Sequence, residues 1–142
     1  LASSGAWVDF TQGLDARLLT EENIEIIKRI KLKMVHFAWD NIADEKLIVP
    51  KLQLFKEKTG IDKRKCTVYV LTNFNSTLQE DLHRIYKIRD LGMAPFVMVY
   101  EKQTAPKEIK DLQRWVNNRI IWYSTEKFED YSGDTKTRRQ GK

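Results

Sequence analysis

The chain has 142 residues, 42% of them hydrophobic and 32% charged, with 4 Trp and a formal net charge of +5. That is one domain's worth of chain with ample material for a core, which excludes a disordered protein. The apolar runs are too short for a membrane-spanning helix, and the single cysteine, Cys66, excludes an internal disulfide and any multi-cysteine metal site within the chain.

Residues 1–5 are small and polar and read as a cloning scar or linker. No basic stretch followed by an apolar one opens the chain, so a cytoplasmic setting is expected. Trp7-Val8-Asp9-Phe10 then alternates like a strand. Leu18-Leu19-Thr20-Glu21-Glu22 reads as a helix start, with Thr20 as N-cap and acids in the first turn. Gln12, Gly13, Asp15 and Arg17 therefore sit where a strand turns into a helix, the end of a strand at which parallel α/β folds bind ligands. The plainer reading of the same stretch is that Gly13 makes the turn and that Asp15 and Arg17 are solvated or paired locally.

A short strand followed by an amphipathic helix recurs four times at a spacing of roughly thirty residues, which predicts βα units and a parallel sheet. The first helix is expected over 21–30, with Ile24, Ile27 and Ile30 on one face. The next strand, 34–39, is a near-continuous apolar run, as for a strand covered on both faces. His36 inside it reads as a hydrogen-bonded core residue, and Asp40 ends it. Pro50 argues for a turn up to Val49 and a helix starting near Pro50, with Gly60 as its C-terminal cap.

The third strand, 66–72, is rich in β-branched and aromatic residues and leads into Asn73-Phe74-Asn75. Ser76-Thr77-Leu78-Gln79 fits a capping box with Ser76 capping. Leu78, Leu82, Ile85 and Ile88 form the stripe expected to be buried, and truncating Leu82 to Ala is expected to cost about 2–5 kcal/mol. Gly92 ends that helix. The fourth strand, 95–100, has Glu101 at its end. Pro106 opens a helix whose apolar face holds Leu112, Trp115 and Val116. Residues 119–123 are either a fifth short strand or an apolar segment closing over the core. The folded domain is thus expected over 6–131, with 132–142 a disordered basic tail. Lys63-Arg64-Lys65 is a second basic cluster, of a kind more often solvated than bound to nucleic acid.

If the sheet is parallel, Gln12, Asp15, Arg17, Asp40, Asn73, Asn75 and Glu101 share one rim. Carboxylates, amides and a guanidinium suit a ligand with hydroxyls, an amine and a carboxylate. No catalytic set is complete: there is no nucleophile elbow, phosphate-binding glycine loop or metal motif. Any chemistry must come from a cofactor or from residues outside this chain.

Val8-Asp9-Phe10-Thr11-Gln12-Gly13-Leu14-Asp15-Ala16-Arg17-Leu18-Leu19-Thr20 resembles the third strand and following helix start of radical S-adenosylmethionine (radical SAM) enzymes. Phe37-Ala38-Trp39-Asp40 resembles their fourth strand. Val68-Tyr69-Val70-Leu71-Thr72-Asn73-Phe74-Asn75-Ser76-Thr77-Leu78-Gln79-Glu80-Asp81 is similar to their fifth strand, loop and helix, with Asn73 and Asn75 where the family often has glycines. Ala94-Pro95-Phe96-Val97-Met98-Val99-Tyr100 resembles the sixth. The resemblance spans residues 7–131.

It implies a partial (β/α) TIM-like barrel whose parent protein uses S-adenosylmethionine and a 4Fe-4S cluster held by three closely spaced cysteines. Those cysteines are not in this sequence. The chain would then be the C-terminal part of the barrel, inactive alone and holding neither cofactor stably. By match, Gln12 and Arg17 contact the methionyl end of the cofactor, and Asp40 the methionyl end or the ribose. Asp15, Asn73, Asn75 and Glu101 are left as substrate contacts. The expected partners are the missing N-terminal part of the barrel and, for the isolated chain, a second copy; membrane and nucleic acid are not expected. Two other readings stand beside it: part of another parallel-barrel enzyme, or a binding module without chemistry, with nucleic acid as one ligand.

Overall fold

The structure, a computed structural model, describes residues 7–9, 16–29 and 31–131. Its centre is a parallel sheet of three full strands, β2 (Lys31–Ala38), β3 (Cys66–Thr72) and β4 (Ala94–Val99). The segment β1 (Trp7–Asp9) lies parallel along the start of β2, with a register shift between Val8 and Asp9. Sequence patterning predicts four strands; three are found in full, and of the first the described residues hold Trp7–Asp9, on the outer edge, the rest of the expected strand lying outside the described residues. The spatial order follows the chain order.

Helices α1 (Glu21–Lys28), α2 (Glu45–Thr59), α3 (Leu78–Asp90), α4 (Lys107–Asn117) and α5 (Arg119–Ser124) complete the described chain, with short 3-10 turns between. Parallel strands taken in order, with crossovers of one hand, set successive helices on the same face. Burial agrees. Val35 and Phe37 of β2, Cys66, Val68 and Val70 of β3 and Val97 of β4 are fully buried with Leu52 and Phe55 of α2, Ile85 and Ile88 of α3, and Leu112 and Trp115 of α4. The Phe37 and Phe55 rings meet edge to face at 5.0 Å.

The alternate residues tell the opposite story. Tyr69 pairs with Phe96 and Leu71 with Met98 across β3 and β4. Phe96 is 42% exposed and Met98 49% exposed. So the sheet has one covered face and one open one. This corrects one expectation. The 34–39 strand is covered on one side only, and the residues left open to water are the neighbours of the fully buried Phe37, Val70 and Val97. His36 lies half-buried on the open face, its Nδ1 2.9 Å from the Tyr69 hydroxyl.

Thr20 caps α1 in a reciprocal box with Asn23. Helix α2 starts at Glu45 rather than at Pro50, which sits in its interior. The proline's missing N–H and ring then fall against the first turn, and its exposed position spares it a packing clash. Gly60 ends α2 at φ 61° and Gly92 follows α3 at φ 79°, the left-handed backbone glycine adopts without penalty. The box at α3 is Thr77 with Glu80, one residue later than expected. That shift turns the buried stripe to Asp81, Arg84, Ile85 and Ile88, with Leu78 and Leu82 only half-buried. The 119–123 segment is a helix, not a fifth strand: Trp122 closes onto Trp115 at 4.8 Å between ring centroids. The expected tail, 132–142, lies outside the described residues.

Candidate functional site

The carboxyl ends of parallel strands share one rim, and each brings polar residues to it. Asp40 follows β2, and Asn73 and Asn75 follow β3. Glu101 follows β4. Arg17 lies exposed in the turn Ala16–Leu18 that leads into α1. Gln12 and Asp15 lie outside the described residues.

The rim is stitched from strand to strand. The Leu71 amide donates to Asp40 Oδ1 at 3.2 Å, tying the end of β2 to β3. Asn73 Nδ2 donates to the Tyr100 carbonyl at 3.1 Å, and the Tyr100 amide to the Thr72 carbonyl at 3.0 Å, tying β3 to β4. The half-exposed Phe74 and Tyr100 rings lie 4.8 Å apart above this seam. Asp40 and Asn73 thus each spend one polar atom on the scaffold. Asn75 and Glu101 are exposed, and no hydrogen bond of the Glu101 carboxylate is found among the described residues.

Asn73, Asn75 and Glu101 have φ of 62°, 50° and 46°. They are the three non-glycine residues in left-handed backbone among those described, and all three are at this rim. Asparagine tolerates the conformation; for glutamate it costs of order 1 kcal/mol or more.

Beneath the rim lies a pair that the sequence reading missed. Arg84 and Asp81 are completely buried. Arg84 donates from Nη1 to the Trp39 carbonyl at 2.6 Å, and from Nη2 to the Leu71 carbonyl at 2.9 Å and Asp81 Oδ1 at 2.6 Å. One guanidinium from α3 therefore holds the carbonyl just after β2 and the last but one of β3, directly before Asp40 and Thr72. The signal for it was present: Asp81, Arg84, Ile85 and Ile88 have i, i+3, i+4, i+7 spacing, with opposite charges at the first two positions.

Cys66 points into the helix-covered core, where burial pushes its thiol up to about 12. A thiol so placed is neither a nucleophile nor a ligand. Among the described residues no three His, Cys, Asp or Glu side chains gather as a metal site, and no helix is long and apolar enough to cross a membrane. No family model matches the chain, and neither does any curated protein or solved structure.

Proposed function

We propose that the chain is the C-terminal part of a partial TIM-like (β/α) barrel of the radical SAM type. It contributes part of the cofactor and substrate rim, and is inactive until an N-terminal part completes the barrel. The observation that carries this is the one-sided sheet: parallel strands in chain order, helices on one face, and Tyr69, Leu71, Phe96 and Met98 on the other. In a closed barrel, inward side chains of that kind form the interior.

The residues of this chain do not fit an iron–sulfur cluster, since its one thiol faces the helix layer. The rim does fit a polar small molecule. In this reading Gln12 and Arg17 bind the methionyl end of S-adenosylmethionine, and Asp40 the methionyl end or the ribose. Asp15, Asn73, Asn75 and Glu101 face the substrate. The radical chemistry belongs to the cofactor and to the cluster of the N-terminal part; this chain binds and orients. Asn73 and Asn75 are in left-handed backbone, which glycine adopts without penalty, so asparagines here are compatible with the glycines the family often has in the fifth-strand loop.

The test is the coding sequence upstream of Leu1. Three closely spaced cysteines following a strand pattern are the expected result. An upstream region without them overturns the assignment.

A further inference from the structure

A second feature lies at the opposite end of the sheet from the rim, separated by the length of β3, roughly 20 Å. A cleft of about 410 Å³ opens beside the amino ends of β3 and β4. It runs into another of about 640 Å³, and Lys63, Arg64, Arg119 and Tyr123 line both. Arg89 lines the first and Lys56 the second. Five cations from α2, α3, α5 and the turn before β3 thus face two carboxylates, Asp62 and Glu126.

The charges differ in how far they are already used. Lys56 donates to the Ile61 and Gly92 carbonyls, and Arg89 donates to the Glu126 carbonyl and packs over Tyr86 and Trp122. Asp62 is held by Arg64, whose hydrogen bonds keep its carboxyl down at about 2, so it stays ionised and engaged. Lys63 has its ammonium 4.9 Å from the centre of the Tyr123 ring. Arg119 has no hydrogen bond or ion pair among the described residues. Tyr123 is 58% exposed.

We infer that this groove binds single-stranded nucleic acid, with Lys63 and Arg119 on phosphates and a base stacked on Tyr123. Lys63, Arg64 and Arg119 gather with Tyr123 where the two clefts join, and Arg89 and Lys56 carry the positive lining on into each, so the track continues past a single phosphate site. A basic track beside an exposed aromatic is the general solution for sequence-tolerant binding of single strands, because every base has a face to stack. The inference does not depend on the rim reading: Phe96 of the open sheet face borders the first cleft, but none of the rim residues Arg17, Asp40, Asn73, Asn75 and Glu101 does.

The experiment is fluorescence anisotropy of the whole chain with a labelled single strand of about ten nucleotides, as DNA and as RNA, over a range of salt. Binding should weaken with salt along a log–log line of slope near −1.4, about −0.7 for each of two phosphates. Lys63→Gln and Arg119→Gln should each reduce the slope by about 0.7, and Tyr123→Ala should weaken binding about tenfold. All three side chains are exposed, so the variants keep the fold. Lys110→Gln with Arg114→Gln removes two charges on α4 away from the groove and should have the smaller effect. The inference is overturned if neither strand binds, if only a mononucleotide binds, or if the α4 variant or Arg138→Gln with Arg139→Gln weakens binding as much as the groove variants do.

Discussion

Arg84 decides the geometry of the rim, although none of its surface reaches solvent. Its charge is offset by Asp81 and two strand-end carbonyls, yet Asp81 Oδ2 and Arg84 Nε find no partner among the described residues. Removing one member of such a pair strands the other in a medium that cannot solvate it. Arg84→Met is therefore predicted to cost about 3–5 kcal/mol in urea denaturation. Arg84→Met with Asp81→Leu should recover most of that loss while leaving the ends of β2 and β3 looser. Cys66 gives a pH signature. Its thiol ordinarily titrates at 9.0, and burial moves it to about 12 in the folded chain. As pH rises past about 9, the unfolded chain loses the proton first. The folded state then loses about 1.4 kcal/mol per pH unit until about pH 12, and nothing below pH 8. Comparing urea midpoints of wild type and Cys66→Ala at about pH 8 and pH 10.5 isolates this slope from the other titrating groups.

At the scale of elements, the helix caps are the sharpest check on how α3 is set. Thr77→Ala removes the hydroxyl that accepts the Glu80 amide and should cost about 1 kcal/mol, read as a drop in melting temperature. Ser76→Ala should be neutral or better, because the Ser76 hydroxyl is buried without a partner among the described residues. Ile85→Ala should cost about 2–5 kcal/mol, and the half-buried Leu82→Ala less than 2 kcal/mol. The one-residue shift at this cap shows why the sequence was legible only so far. Hydrophobic runs with β-branched residues located β2, β3 and β4 to within three residues, and Gly60 and Thr20 located helix ends by local chemistry. Ser76 and Thr77 are both good caps, each with an amide or carboxylate side chain three residues on, and a sequence reading places the box at the first of the two. Only tertiary packing puts Asp81 and Arg84 inward, because only there do they meet the carbonyls of other strands. Pro50 misled for the same reason: its penalty is local, and the packing of Ile48, Leu52 and Phe55 outweighs it.

For the whole molecule the asymmetry of the sheet is the governing fact. Alternation along β4 puts Val97 under the helices and Phe96 and Met98 outside. The pattern of the sequence, apolar at both sets of positions, announced strands buried on two faces. The chain covers one of them, and the other is where the proposed N-terminal half would sit. A face with exposed Phe96 and Met98 beside Tyr69 and Leu71 favours association, and a two-fold pair is the common outcome. The direct measurement is the mass in solution by light scattering at micromolar concentration, for wild type and for Phe96→Glu with Met98→Glu. The account predicts a wild-type dimer and a variant monomer with unchanged helix and strand content. A wild type that is strictly monomeric, or a variant that unfolds, would contradict the reading of this face as an open barrel interior.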